Sequence, residues 1–166
     1  MRICGYVPGS IGRMVELHGR YYARDWRLGH YFEAKVASEL GELVARLDPK
    51  RDGFWIAAED DEIVGGIAID GSGTPRAARL RFFIVDDAHR GAGLGERLMC
   101  AALDFCRDAG HRHVFLTTFA GLDAARKLYE RHGFVLAEER PHRTWGVEVT
   151  EQRFDLHMTH SRTAPC

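Results

Sequence analysis

Ile84-Val85-Asp86-Asp87-Ala88-His89-Arg90-Gly91-Ala92-Gly93-Leu94-Gly95-Glu96-Arg97-Leu98 reads as a strand end, a glycine-rich turn and the opening of an amphipathic helix. A helix N-terminus presents amide N–H groups with no intrahelical partner and the positive end of the macrodipole, and glycines let an anion approach the backbone. Residues 90–95 are therefore expected to cradle a phosphate. The plainer alternative is that Gly91, Gly93 and Gly95 only make a tight turn with close helix–strand packing. Two familiar phosphate sites do not fit. A P-loop requires Lys-Ser or Lys-Thr after its last glycine, and here Gly95 is followed by Glu96-Arg97. A dinucleotide site requires this turn in an opening βαβ unit with an acid at the next strand's end, whereas this turn lies mid-chain and the next strand ends in Leu116-Thr117-Thr118.

Working outward, Ala77 to Val85 forms the strand that feeds the turn, and Leu94, Leu98, Ala102, Phe105 and Ala109 make the stripe of the helix that follows it. Val114 to Thr118 is a strand, Ala124 to His132 a helix stopped by Gly133, and Phe134 to Pro141 and about Val149 to His160 are closing strands around a loop with His142, Trp145 and Gly146. On the N-terminal side, Cys4 to Val7 is a short strand, and Ser10 is placed as N-cap of a helix towards Ala23. Phe32, Val36, Leu40, Leu43, Val44 and Leu47 then recur at helical spacing up to Asp48-Pro49. Phe54 to Ala58 and Ile63 to Ile69 flank Glu59-Asp60-Asp61-Glu62 as a hairpin. The pattern is an α/β (α+β) chain, with a mixed sheet of about seven strands and about four helices.

The chain has 166 residues, the size of one domain, and no repeat or linker interrupts it, so residues 1–166 are read as a single domain. Its 23 Lys+Arg against 24 Asp+Glu leave no charge excess to draw nucleic acid or an anionic membrane. No stretch approaches the roughly 20 apolar residues of a membrane span, and the start, Met1-Arg2-Ile3-Cys4-Gly5, lacks the features of a secretory signal. The four cysteines, Cys4, Cys100, Cys106 and Cys166, form no CxxC pair and read as reduced thiols, so a cytoplasmic location is expected.

Arg90-Gly91-Ala92-Gly93-Leu94-Gly95 resembles the Arg/Gln-x-x-Gly-x-Gly/Ala signature of the GNAT superfamily of acyl-CoA-dependent N-acetyltransferases. Downstream, Ala125-Arg126-Lys127-Leu128-Tyr129-Glu130-Arg131-His132-Gly133-Phe134 is similar to that family's Ala-x-x-Leu-Tyr-x-x-x-Gly-Phe. More narrowly, the chain resembles acetyltransferase domains fused to MarR-type regulators in bacteria, here standing alone. The resemblance implies a GNAT fold whose sheet splays between strands four and five. It also implies acetyl-CoA as cofactor, with its pyrophosphate on Arg90, Gly91, Ala92, Gly93, Leu94 and Gly95 and its pantetheine arm along the backbone of Phe83, Ile84 and Val85. Tyr129 corresponds to the tyrosine that protonates the departing thiolate. Many relatives carry an Asn before the last helix, where this sequence has Phe119-Ala120-Gly121-Leu122-Asp123. A homodimer, common in the superfamily, is implied by resemblance alone.

The implied reaction is transfer of the acetyl group to a small-molecule primary amine by direct attack in a ternary complex. An amine of pKa about 10.4 is only about one part in 2,500 neutral at pH 7, so a group must take its proton. Candidate carboxylates are Glu33, Glu59, Asp86 and Glu148; Glu33 is carried forward with Tyr129 as the catalytic pair, though no motif singles out one of the four. The acceptor end is expected from the first two helices and the last loop, with Tyr21, Tyr22, Trp26, His142 and Trp145 as binding residues beside His18. Arg76, Arg79 and Arg81 form a basic cluster within reach of the CoA 3′-phosphate in one reading and solvated strand-edge charge in the other. The pairs His111/His113 and His157/His160 have no third ligand at recognised spacing, so no metal is expected. Two alternatives stand beside the small-molecule enzyme: a non-catalytic acyl-CoA-binding regulatory module, and a protein or peptide N-acetyltransferase.

Overall fold

The computed structural model describes residues 1–143 and 147–158. In chain order these form β1 (Arg2–Cys4), α1 (Ser10–Trp26), α2 (His30–Ala45), β2 (Gly53–Glu59), β3 (Glu62–Asp70), β4 (Ala77–Val85), a 3-10 turn (Asp87–His89), α3 (Leu94–Asp108), β5 (His113–Phe119), α4 (Asp123–Arg131), β6 (Val135–His142) and β7 (Val149–His157). The strands make one sheet in the order β1-β2-β3-β4-β5-β7-β6. Neighbours run antiparallel except β4 and β5, which are parallel because the connection between them crosses over through α3. No helix among the described residues is long and apolar enough to cross a membrane.

Each face of the sheet carries its own apolar layer. On one, Leu94, Leu98, Met99, Ala102, Leu103 and Cys106 of α3 pack with Leu128 and Tyr129 of α4 on Ile67, Leu80, Val114 and Leu116. On the other, Met14 and Leu17 of α1 and Leu40 and Leu43 of α2 cover Phe54, Ile56, Ala68 and Ile84. Leu80 and Ile84 are four apart on β4, so a regular strand would place them on the same face. They lie on opposite faces because β4 holds an extra residue against β3: Gly66 pairs with Ile84, but Ala68 pairs with Arg81. The bulge centres on Phe82, whose φ of 52° is rare for a bulky side chain.

That bulge opens the sheet. β4 and β5 pair only at Ala77, Ala78 and Arg79 with His113, Val114 and Phe115. Beyond Arg79 the strands part, and the side of β4 facing β5 over residues 80–85 has no strand partner.

Two local expectations change at the N-terminus. The first strand is Arg2–Cys4, not Cys4 to Val7, because Val7 is used in a turn: its N–H donates to Ser10 Oγ at 3.0 Å and its carbonyl accepts from that hydroxyl at 2.6 Å. For the same reason Ser10 does not cap α1. Gly9 holds the cap position with φ 92°, and the buried Ser10 begins the helix with its hydroxyl turned backwards. His142, expected in a loop, ends β6.

Candidate active site

The glycine-rich turn forms the floor of a cavity of about 700 Å³ between β4 and α4. The turn is held from below. Asp86 accepts from the Ala88 amide at 3.0 Å, and Arg90 donates to the Val85 carbonyl at 3.2 Å while its guanidinium lies 4.6 Å from the Tyr21 ring centroid. The first intrahelical bond is Arg97 N–H to the Gly93 carbonyl, and no side chain caps α3. The amides of Leu94, Gly95 and Glu96 are therefore the unpaired donors of the helix start.

The glycines divide between the two roles the sequence left open. Gly91 (φ 81°) and Gly93 (φ 76°) sit in the left-handed region, and a Cβ on either would meet nothing within 4 Å. They serve backbone conformation beside open space. Gly95 is different: its Cβ would stand 3.3 Å from the Phe83 ring, which would have to yield by a few tenths of an ångström, so here the absent side chain serves close packing. Phe83, Ile84, Val85, Arg90, Gly91, Gly93, Leu94 and Gly95 line the cavity, whereas Ala92 is exposed outside the lining. Arg131, Thr118 and Asp123 also line it; they stand in stretches quoted above but are not assigned to the site by the sequence.

A second cavity of about 410 Å³ lies where β4 and β5 diverge, beneath α2. Tyr22, Phe83, Thr118 and Tyr129 belong to the walls of both cavities, so the two are lobes of one cleft that meet at those side chains. Tyr129 is only 5 % exposed and sits among the rings of Phe83, Phe134 and Phe154. Burial raises its pKa well above the ordinary phenol value, so it holds its proton at neutral pH. Tyr22 is raised in the same way.

The second lobe mixes charge with aromatic surface. His18 lies 2.7 Å through Nδ1 from the Met14 carbonyl, which can only accept, so Nδ1 carries the hydrogen and Nε2 the lone pair. Burial brings its pKa down to about 4, and it is neutral at pH 7. Arg81 lies over the Phe82 ring and pairs with Glu39 of α2 and, at 3.1 Å, with Asp70. Lys35 pairs with Glu39 as well, and Arg140 takes Glu151 at 3.0 Å. Arg79 has a different environment: one Nη donates to the Thr117 hydroxyl at 2.8 Å, and its buried Nε has no hydrogen-bond partner.

Among the expected acceptor residues, Tyr22 and His142 line the second lobe, and Tyr21 lines the first. Trp26 lines neither; it packs on Phe119 at 5.6 Å and against Gly121. Trp145 lies outside the described residues. Glu33 also lines neither lobe. Its carboxylate rests over Gly19, where a Cβ would come within 2.8 Å of it, so it fills the crossing of α1 and α2. Glu59 faces His89 at 3.3 Å, Asp86 supports the turn, and Glu148 pairs with Arg143. The carboxylates that do line the second lobe are Glu39 and Glu151. The solvated strand-edge reading of the basic cluster holds for exposed Arg76; Arg79 and Arg81 are drawn into the lobe instead, and neither lines the cavity over the glycine-rich turn. Period-two spacing put Arg79 and Arg81 on one face, but only the docking of α2 made that face an interior.

The sequence profile of the Acetyltransferase (GNAT) family matches residues 12–134. N-acetyltransferase 8B of Homo sapiens is 33% identical over 112 residues, covering 64% of this chain and 47% of its own length. N-acetylaspartate synthetase of Xenopus tropicalis is 31% identical over 143 residues, covering 85% of this chain and 48% of its own. The chain thus spans about half the length of these relatives. Among solved structures, the ribosomal-protein-alanine N-acetyltransferase of Brucella melitensis superposes with a TM-score of 0.78 at 13% identity, over 95% of this chain and 100% of that one. yncA of Salmonella typhimurium, solved with its cofactor acetyl-CoA, gives 0.77 at 16% identity, over 99% and 97%. At such identities these structures speak for the fold alone. With the splayed sheet, the cradle and the family profile in agreement, this chain belongs to the GNAT family of acetyltransferases.

Proposed function

We propose that this chain transfers the acetyl group of acetyl-CoA to the primary amine of a small molecule, by direct attack within a ternary complex. The observation that carries the reading is the two-lobed cleft: a lobe floored by an uncapped helix start, and a separate lobe that joins it at Tyr129. The first lobe suits acetyl-CoA on three counts. Gly91 and Gly93 leave open space, the α3 amides are unpaired, and the β4 edge over residues 80–85 has no strand partner for its backbone. A pyrophosphate matches the cradle, and pantetheine amides match the strand edge. The names of both curated relatives denote N-acetylation, one of them of aspartate, which supports a small amine acceptor.

Bound, acetyl-CoA supplies an acyl carbon activated as a thioester. The backbone of Phe83, Ile84 and Val85 would hold the pantetheine arm, with an amide of that edge available to polarise the thioester carbonyl. Burial keeps Tyr129 protonated and rules it out as a base; its hydroxyl would hydrogen-bond the departing sulfur and protonate it as the C–S bond breaks, regaining a proton from the newly acylated nitrogen. Neutral His18 accepts a hydrogen bond at Nε2 without repelling a cationic amine. The amine's proton leaves towards Glu39 and Glu151 or to water in the open mouth of the lobe.

The test is thiol release from acetyl-CoA against a panel of amines, amino acids and peptides, with calorimetric titration of CoA. Release that depends on a small amine is the expected result. Tight CoA binding without release across the panel would replace the enzyme by a binding module, and absence of CoA binding would remove the cofactor assignment.

A further inference from the structure

We propose that Arg79 is the anchor for a carboxylate on the acceptor, so that the substrate class is an amine that also bears a carboxylate, an amino acid or a close analogue. This rests on reading the second lobe as the acceptor site. Arg79 is the last residue of β4 to pair with β5, so it stands at the apex of the opening between the strands, at the end of the lobe away from the glycine-rich turn.

The charges around the lobe leave Arg79 over. Lys35, Arg81 and Arg46 share Glu39 and Asp70, and Glu151 is matched by Arg140. Among the described residues no carboxylate lies within 4 Å of Arg79. A guanidinium offers five donors in a planar fork, and here one goes to a neutral hydroxyl while Nε is buried without a partner. Burial, and then the positive Arg81 beside it, work against its charge and outweigh the support of the carboxylates Glu39, Asp70 and Glu151, none of which pairs with it directly. A cation so placed is relieved by an anion, and the planar fork selects a carboxylate through two parallel hydrogen bonds.

The geometry also fixes which end of the acceptor goes where. Because of the bulge, β4 from Arg79 to Ile84 advances only as far as β3 does from Asp70 to Gly66, about 13 Å at ~3.3 Å per residue, and the arginine side chain spans part of it. A small acceptor with its carboxylate on Arg79 therefore directs its amine towards Tyr129 and Thr118, where the lobes join.

The test titrates L-alanine, L-aspartate, L-glutamate and L-phenylalanine, each beside its decarboxylated amine and its carboxamide, into the CoA-saturated protein, and measures KM and kcat for whatever is acetylated. At least one amino acid is expected to bind about 10²-fold more tightly than its decarboxylated partner. Arg79→Gln should erase that difference while leaving the Kd for CoA unchanged, and Arg79→Lys should restore part of it. Equal binding of amino acids and decarboxylated amines, or a preference that survives Arg79→Gln, overturns the assignment. If Arg79→Gln does not fold, Arg79→Lys decides: it keeps the charge but not the fork, and undiminished preference counts against the proposal. Arg79-dependent carboxylate binding without thiol release upholds the anchor and refutes the enzyme, so the two readings fail separately.

Discussion

The two lobes that meet at Tyr129 are built of different material. The lobe over the glycine-rich turn takes most of its character from one contiguous stretch, residues 83–96, and presents chiefly backbone: left-handed glycines, uncapped amides and an unpaired strand edge. The other is assembled from side chains of α1, α2, β4, β5, α4, β6 and β7, from His18 to Glu151, and is mostly charge and aromatic surface. A shared cofactor needs only the first kind of site. The second kind changes with single side chains while the scaffold stands, which is how one fold serves many acceptors.

Gly93→Glu attacks the backbone lobe most directly, placing a carboxylate at the cradle on a left-handed residue. It should raise the Kd for CoA at least about 10³-fold, as a like charge at a desolvated contact costs several kcal/mol. Unchanged calorimetric affinity would mean that the cradle does not hold the phosphates.

Histidine 18 tests the side-chain lobe through pH. Its pKa is about 4 in the fold against an ordinary 6.5, so between those values the unfolded chain binds the extra proton. The neutral imidazole's contribution is complete above pH 6.5 and is lost as pH falls towards 4, about 3 kcal/mol in all. Urea midpoints measured from pH 7.5 to 4.5 should fall accordingly, with His18→Gln flattening the slope. An equally steep fall in the variant would assign it to other groups.

At the seam, Tyr129→Phe keeps the ring and removes the hydroxyl. It should lower kcat by about 10²-fold with CoA affinity nearly unchanged. Wild-type turnover would take Tyr129 out of the chemistry and leave it as packing.

The smallest effect separates the glycines. Gly95→Ala pushes a methyl towards Phe83 and should destabilise by about 1 kcal/mol, which Phe83→Leu relieves. Gly91→Ala should cost about 1–2 kcal/mol through backbone conformation with no rescue from Phe83→Leu. Thermal melts of the single and double variants check both, and rescue at Gly91 would erase the distinction.

Much of the scaffold was legible from hydrophobic period. β4 ends where the alternation ends, and α3 starts at Leu94 because glycines precede it and an apolar stripe follows. Ser10 was misplaced as a cap because a serine before a helical stripe is an equally good partner for the turn at Val7. In the region where an acceptor was expected, Glu33 and Glu39 differ by six residues on α2, about 120° around the helix. Composition offers no reason to prefer either. The docking of α2 over the sheet put Glu39 in the lobe and laid Glu33 across Gly19.

By itself the sequence determined the element order and the glycine-rich turn between β4 and α3, since each depends on residues adjacent in the chain and on backbone rules that neighbours impose. Only the tertiary structure decided the bulge at Phe82, the opening beyond Arg79 and the charges that close around it. Those depend on which distant side chains arrive beside one another. Arg79 and Arg81 are two residues apart on the same strand, yet one finds two carboxylates and the other none within 4 Å among the described residues.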